Sequence, residues 1–290
     1  MSEGNSIINF GELSKPATVL IEKISDAIGG CFKPYQIRRV AQAEADADKI
    51  NALAELEITE LQQRALRRFL AEEAKKQDNI ESITAKALPD LKADSKPQDI
   101  EEDWITNFFD KCRLISDEQM QKLWSNVLSG EANAPGTYTK RTVSLLASLD
   151  KSDATLFKKV CSFGWAFGSI VPLIYDVQAP IYIDHGITFH ALTHLDSIGL
   201  VTFESVAGYR LLKFPKNIRV FYYGTPINVQ FKKQTDNELD IGKVMLSQTG
   251  QELAHVCGCE PMNDFVGYVL DKWVKWGLVL SSPFPRNETM

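Results

Sequence analysis

The chain has 290 residues, a net charge of −6 and 44% hydrophobic residues. This length allows about two domains, and the composition is that of an ordinary soluble globular protein. The acidic balance excludes a surface that is basic throughout, although a local basic site stays open. The five cysteines are an odd number in mostly apolar contexts, which indicates reduced thiols in a cytosolic protein rather than a disulfide framework.

Two kinds of membrane segment are not predicted. Residues 1–10 lack a basic region followed by an apolar core, so we expect no secretory signal. No window approaches the 18 or so uninterrupted apolar residues of a transmembrane helix. Together with the thiols, this predicts a cytoplasmic location.

The first predicted helix begins near Ser14, a favourable N-cap followed by Pro16 in the first turn. It ends at Gly29 and Gly30. Its apolar face packs on its own protein, or binds a partner or a membrane surface. Residues 1–35 carry three basic and four acidic residues, and this balance disfavours binding to a membrane of anionic lipid. The face consists of Leu20, Ile24 and Ile28.

A second, longer helical segment runs from Tyr35 to Leu88, 54 residues without glycine or proline. As one helix it would be about 80 Å long, and helices of that length project, span or oligomerise. Three alternatives stay open: a single helix, a hairpin broken near residues 76–79, or packing against copies of itself in a ring or filament. No strict heptad fits. The predicted assembly region is therefore residues 1–88, with self-assembly or membrane contacts through Leu20, Ile24, Ile28, Ile58, Leu61 and Phe69.

Residues 89–99 are predicted to be a linker, because they hold two prolines and mixed charge. A helical block follows over residues 100–149. Its first helix carries Trp104, its second is capped at Asp117 or Ser116 and ends at Gly130, and its third contains Leu146.

The remaining residues, 150–290, are predicted to form an α+β domain. We expect a helix capped at Ser152 or Asp153 that runs through Trp165, one or two strands within 170–183, a helix over 187–198 and a β-ribbon over 200–231. Strand 241–246, helices 248–257 and 262–276, and strand 277–280 complete it. This order resembles a winged helix with a long ribbon. The whole chain is predicted to be α+β, mainly α.

The ribbon carries a marked electrostatic bias. Residues 205–233 hold six basic residues and no acidic one, with aromatic rings between them. Basic side chains can neutralise phosphates and rings can stack on bases, so a nucleic-acid surface is one interpretation. The other is an ordinary half-buried ribbon with its lysines in solvent. The six are Arg210, Lys213, Lys216, Arg219, Lys232 and Lys233.

No catalytic or metal-binding motif stands out. His190 and His194 share a helix face but lack a third ligand, and His255, Cys257 and Cys259 lack the second half of a zinc site. Phosphate-loop, dinucleotide and nucleophile-elbow patterns are absent from the sequence. We therefore predict a non-enzymatic protein without cofactor or metal.

Three stretches carry a family resemblance: residues 10–17, residues 37–39 and residues 104–130. They resemble an uncharacterised bacterial family known only as a domain of unknown function. The opening is also similar to the Abi-alpha group of abortive-infection proteins, which implies a role in defence against phage.

The leading hypothesis is a self-assembling homo-oligomer whose C-terminal domain recognises a protein partner or phage component. The alternatives are a nucleic-acid-binding regulator that uses the basic ribbon, and a membrane-associating effector that uses the first helix.

Overall fold

The computed structural model describes residues 13–29 and 59–281. Over these residues the chain is α+β and mainly α, as predicted. It divides into two compact units, Met1–Ala147 and Ser148–Met290. This division lies close to residue 150, where the sequence placed the start of its last domain.

The described part of unit 1 is helical. Helix α1 begins after Ser14, whose hydroxyl accepts a hydrogen bond from the Ala17 N–H at 3.4 Å, and ends at Gly29 with φ 69°. Its predicted bounds are confirmed. Leu20 and Ile24 are fully buried, in a helix that packs against the helix Glu102–Cys112 and the turn at Pro97–Asp99. The helices are α1 Lys15–Ile28, α2 Glu60–Ala87, α3 Glu102–Cys112, α4 Glu118–Asn133 and α5 Lys140–Ser148.

Helix α2 begins at Glu60 rather than continuing from Tyr35. Thr59 is in extended conformation with ψ 156°, and its side chain and that of Gln62 form a reciprocal capping box. A single helix over residues 35–88 is therefore wrong. The helix passes through residues 76–79 without a break, so the predicted hairpin is wrong as well. Residues 35–58, including Ile58, lie outside the described residues.

The segment predicted as a linker is packed within unit 1. It forms 3-10 turns at Leu88–Asp90 and Pro97–Asp99, and Pro97 and Ile100 are buried. Helix α4 is capped by Asp117, as predicted, but continues past Gly130 to Asn133. This glycine serves packing, because a Cβ there would lie 2.7 Å from the Tyr138 ring.

The described part of unit 2 is built on antiparallel strands and five helices. The helix predicted to run through Trp165 is capped by Asp150 and ends at Ser162, and Trp165 lies in the first strand. The helices are α6 Lys151–Ser162, α7 Pro180–Ile183, α8 Phe189–Ser197, α9 Gln248–Ala254 and α10 Asn263–Lys275. Helix α5 ends at Ser148, the first residue of unit 2. The strands are β1 Gly164–Ala166, β2 Ile170–Pro172, β3 Val201–Phe203, β4 Tyr209–Phe214, β5 Asn217–Tyr222, β6 Thr225–Gln230, β7 Asn237–Gly242, β8 Val244–Leu246 and β9 Val279–Ser281.

The strands form one sheet and one long ribbon. The sheet has the order β2-β1-β5-β6-β9. The ribbon consists of the β3–β8 pair followed by the β4–β7 pair, and the β5–β6 hairpin is inserted at its far end. A core of large aromatic side chains packs on the sheet: Phe163, Trp165, Tyr182, Phe265 and Trp273.

Candidate functional site

The first half of α2 is a surface feature of unit 1. Every residue from Glu60 to Lys75 is exposed except Leu66, which is half-buried. This part of the helix is about 24 Å long at 1.5 Å per residue. It exposes 68% of Leu61 and 57% of Phe69. Large apolar residues clustered in this way mark interaction sites more often than single ones do.

The exposed apolar residues continue the buried face of the same helix. Ile80, Ile83 and Ala87 are buried in unit 1. Phe69 lies about three helical turns before Ile80, so both point to the same side. Leu61 and Ala65 precede Phe69 at intervals of four residues. The apolar stripe of α2 therefore extends beyond the part of the helix that is packed among the described residues.

A buried amide network holds the base of this helix. Asn79 donates through Nδ2 to the Arg113 carbonyl at 2.8 Å, and Gln121 donates through Nε2 to Asn79 Oδ1 at 3.3 Å. The Oε1 atom of Gln121 accepts hydrogen bonds from Ser82 Oγ at 2.8 Å and Lys86 Nζ at 2.6 Å. Because these bonds join α2 to α4, they fix the rotation of α2 and thus the direction of its exposed stripe.

Charges of both signs flank the stripe. Arg68 pairs with Glu72 at 3.4 Å, and Lys76 pairs with Glu73 at 2.6 Å, both within the helix. Exposed pairs of this kind add only about 0.3–0.5 kcal/mol each. Because these pairs are weak, the same side chains can pair instead with charges on a partner.

A groove of about 440 Å³ lies where α2 meets the end of α1 and α3. It is lined by Ile28, Lys76, Ile80 and Phe109, among others. Ile28 is half-buried there, whereas Leu20 and Ile24 lie in the core. The predicted apolar face of the first helix is thus an internal face, and Leu20 and Ile24 are not available to a membrane or a second copy in this structure.

The tip of the ribbon in unit 2 gathers four of the six predicted basic residues. The Lys216 N–H donates to the Gln234 carbonyl at 2.9 Å, and the Phe231 N–H donates to the Lys216 carbonyl at 2.7 Å. Phe214 stacks on Phe231 with ring centroids 5.8 Å apart. Lys213, Lys216, Lys232 and Lys233 lie on the segments that these contacts join, all of them exposed or half-buried, and the exposed Asp236 lies beside them.

The two arginines lie elsewhere on the strands. Arg210 pairs with Glu238 at 3.4 Å and stands opposite Asp240 in the β4–β7 register. Arg219 donates through Nε to Asn228 Oδ1 at 2.9 Å across the β5–β6 pair. A count of charge along one stretch of chain therefore overstated the basic surface, because the pairing strand supplies acids of its own.

The two histidines on α8 make no joint site. His194 Nε2 lies 2.7 Å from Asp153 Oδ1, while His190 is exposed. Within residues 13–29 and 59–281, no three His, Cys, Asp or Glu side chains are grouped to hold a metal ion. In the same residues no helix is both long and apolar enough to cross a bilayer.

The sequence analysis did not connect Cys161 with Cys257 and Cys259, which lie near it in the structure. Cys161, at the end of α6, lines a cavity of about 360 Å³ together with Cys259, and its thiol lies next to that of Cys257. Nothing in the local sequence around Cys161 indicates this contact, since the other two thiols lie far along the chain.

One protein-family model, described as a protein of unknown function (DUF2806), matches residues 63–270. The chain belongs to this family. The DUF2806 match includes most of the exposed half of α2 and both units, and the predicted resemblance to a family of unknown function is confirmed. No curated protein and no solved structure matches the chain. The similarity to Abi-alpha proteins stays a prediction.

Proposed function

We propose that this DUF2806 protein is a non-enzymatic interaction protein that associates with itself through the exposed half of α2. The observation that carries the proposal is the apolar stripe of Leu61, Ala65 and Phe69, which continues the packed face of the helix into solvent. Covering such a stripe removes apolar surface from water and is favourable by about 25 cal/mol per Å².

A second copy of the chain is the partner that the charges favour. Closed dimers are two-fold symmetric, so the same surface of each copy meets its equivalent on the other. With the two-fold axis perpendicular to α2, the two copies of the helix run antiparallel. An antiparallel pair centred on Leu70 places Arg68 of one copy opposite Glu72 of the other. The same pairing keeps Phe69 near the centre, where contacts contribute most.

The test is the mass of the full chain in solution, measured by sedimentation equilibrium over a range of concentrations. We expect a dimer or larger assembly that becomes a monomer in Phe69→Glu. Leu114→Glu is the matched control, because Leu114 is also 67% exposed on unit 1 but lies off α2. A monomeric wild type, or an assembly that Phe69→Glu leaves intact, would refute the proposal.

We also propose that unit 2 is a winged-helix variant, as its element order suggests. The series α6, β2, α7, α8 and β3, followed by the ribbon and β8, supports this. In a DNA-binding winged helix, α8 would be the recognition helix. It carries no lysine or arginine, which favours a protein partner for this helix over a DNA groove.

The ribbon tip supports a second candidate, contact with a nucleic-acid backbone. Four exposed or half-buried lysines against one acid, Asp236, give this end of the ribbon a basic excess on an acidic chain. Lys213→Glu/Lys216→Glu should then weaken binding to an oligonucleotide and lower the salt slope by about 2. The control is Lys158→Glu/Lys159→Glu, because both lysines are exposed on α6 of the same unit. Wild-type protein that fails to bind at low salt would exclude this function.

Defence against phage, in the cytoplasm, is the biological setting we propose from the Abi-alpha resemblance. If assembly is part of that role, cells expressing Phe69→Glu should lose protection that wild type and Leu114→Glu both provide. Equal plating of phage on all three strains would count against it.

A further inference from the structure

Three aromatic rings surround one ammonium group at the surface of unit 2. Tyr268 lies on α10, Trp276 caps the end of that helix, and Tyr175 follows strand β2. The Lys272 Nζ atom lies 4.9 Å from the centroid of the Tyr175 ring and 5.7 Å from the centroids of the other two rings. A cation within about 6 Å of a ring centroid is attracted by the ring. The rings therefore form an aromatic cage, and a lysine of the same chain occupies it.

Packing holds the cage rings in place without the lysine. The Trp273 Nε1–H donates to the hydroxyl oxygen of Tyr175 at 3.0 Å, and Tyr175 is only 8% exposed. Trp276 meets the Tyr175 ring edge-on, with the centroids 5.4 Å apart. Tyr268 stacks on Phe265, which is fully buried. Because none of these contacts involves the lysine, the cage is preformed, and a ligand that enters it does not have to order the rings.

Lys272 matches the cage poorly. Its ammonium group is strongly hydrated and carries only N–H donors, yet no residue in the described part of the chain accepts a hydrogen bond from it or pairs with its charge. Since Lys272 is half-buried among the rings, water must satisfy those donors from the open side. A quaternary ammonium group has the same charge and no N–H donor, so it enters such a cage without leaving a donor unsatisfied.

Two exposed carboxylates lie close to the rings. Asp240 adds to the effect of burial in raising the pKa of Tyr175. Asp176 adds in the same way to the effect of burial on the pKa of Tyr268. A negative charge that disfavours a phenolate stabilises a cation in the same place. The surroundings of the cage therefore favour a positively charged ligand.

We propose that the cage of Tyr175, Tyr268 and Trp276 binds a trimethylammonium group, and that Lys272 fills the cage until this ligand displaces it. Choline carries this group as a small molecule, and trimethyllysine carries it in a protein. The exchange makes and breaks no covalent bond, because the lysine head moves into solvent as the ligand head enters. The site does not use α2, so it can be tested separately from self-association.

The test is a titration of the full chain with choline chloride, followed by NMR saturation transfer from the protein to the choline methyl protons. We expect saturable binding of choline and none of 3,3-dimethylbutanol, the neutral analogue with carbon in place of nitrogen. Trp276→Leu keeps an apolar side chain but removes one ring, and should weaken choline binding about 5- to 30-fold. Lys272→Ala should strengthen it about 5-fold, because no occupant has to leave first.

Lys275→Ala is the matched control. It removes the same charge from the same helix, and Lys275 is exposed and contacts no aromatic ring among the described residues. Choline should therefore bind this variant as it binds wild type. Circular dichroism checks that each variant is folded, and Trp276 is 40% exposed, so its replacement leaves the core intact.

A trimethyllysine peptide, compared with its unmethylated form, distinguishes the two sources of the ligand. Tighter binding of the methylated peptide than of choline supports the cage with a protein as the source, and the reverse order supports it with a small molecule. The assignment is overturned if wild type and Lys272→Ala bind neither ligand, or if the neutral analogue binds as well as choline. It is also overturned if Trp276→Leu binds undiminished, or if Lys275→Ala gains as much as Lys272→Ala.

Discussion

Replacing Gln121 with leucine tests whether the buried amide network anchors α2. Leucine is of similar size, so packing is kept, but four hydrogen bonds are lost. Ser82 and Lys86 are half-buried and can turn to water. Asn79 is only 3% exposed, and its Oδ1 atom would lose the Gln121 donor. A buried acceptor without a partner costs about 1–3 kcal/mol, so we expect a loss of about 2 kcal/mol.

The loss should be local to the docking of α2, which hydrogen exchange measured by mass spectrometry can resolve. A change of about 2 kcal/mol corresponds to roughly 30-fold faster exchange of the packed half of α2, when opening is in rapid equilibrium. Gln119→Leu is the control, because Gln119 is exposed on the same helix α4, and surface changes stay within about 0.5 kcal/mol. Equal protection in both variants would show that the network does not fix α2.

Three other changes test a cap, two glycines and the buried tyrosines. Thr59→Ala removes the capping box and should destabilise the first turn of α2 by about 1 kcal/mol. The first amides of α2 should then exchange their hydrogens faster with solvent. An unchanged exchange rate would mean that the capping box does not form in solution. Gly250→Ala should lower the urea midpoint of unit 2 sharply, because the added methyl group would collide with the backbone carbonyl of Leu200. Gly267→Ala on α10 is the control, because its methyl group would meet no other atom and should stabilise that helix by up to about 1 kcal/mol. Equal effects of the two variants on the urea midpoint would contradict the packing at Gly250. Burial raises the pKa of Tyr175 and Tyr182 above 10.0, so the unfolded chain releases these protons first. The contribution of these two phenols to the stability of unit 2 should then be constant below pH 10 and fall as the pH rises above it. Ionisation of both phenols at their ordinary pH in the folded protein, followed by tyrosinate absorbance, would contradict this.

Local signals in the sequence identified several helix ends, although the ends predicted at Gly130 and beyond Trp165 were wrong. The cap at Ser14, the cap at Asp117 and the end of α1 at Gly29 all depend on the chemistry of a few neighbouring residues. Such signals act over one helical turn, so a single sequence contains them in full. The mainly α architecture followed from them.

Features set by distant contacts were not predictable in the same way. Leu20 and Ile24 are four residues apart, as are Ala65 and Phe69, yet the first pair is in the core and the second is in solvent. The difference depends on which other elements pack against each helix, and the spacing of apolar residues in the sequence does not specify those elements. The same holds for Trp165, which continues a helical pattern in the sequence but lies in a strand, where it pairs with Val171 and its ring contacts Trp273.

The last strand changes how this protein can be divided for experiments. The family match ends at residue 270, inside α10, but β9 completes the sheet by pairing with β6, and Trp273 fills the core. A fragment cut at residue 270 would remove both and leave the long edge of β6 without its neighbour. Unpaired sheet edges recruit other chains. Such a fragment would aggregate through an artificial edge, and its large size could be mistaken for the natural assembly. The limits of the family are therefore not the limits of the folding unit, and masses measured on a chain shortened before Ser281 would say nothing about α2.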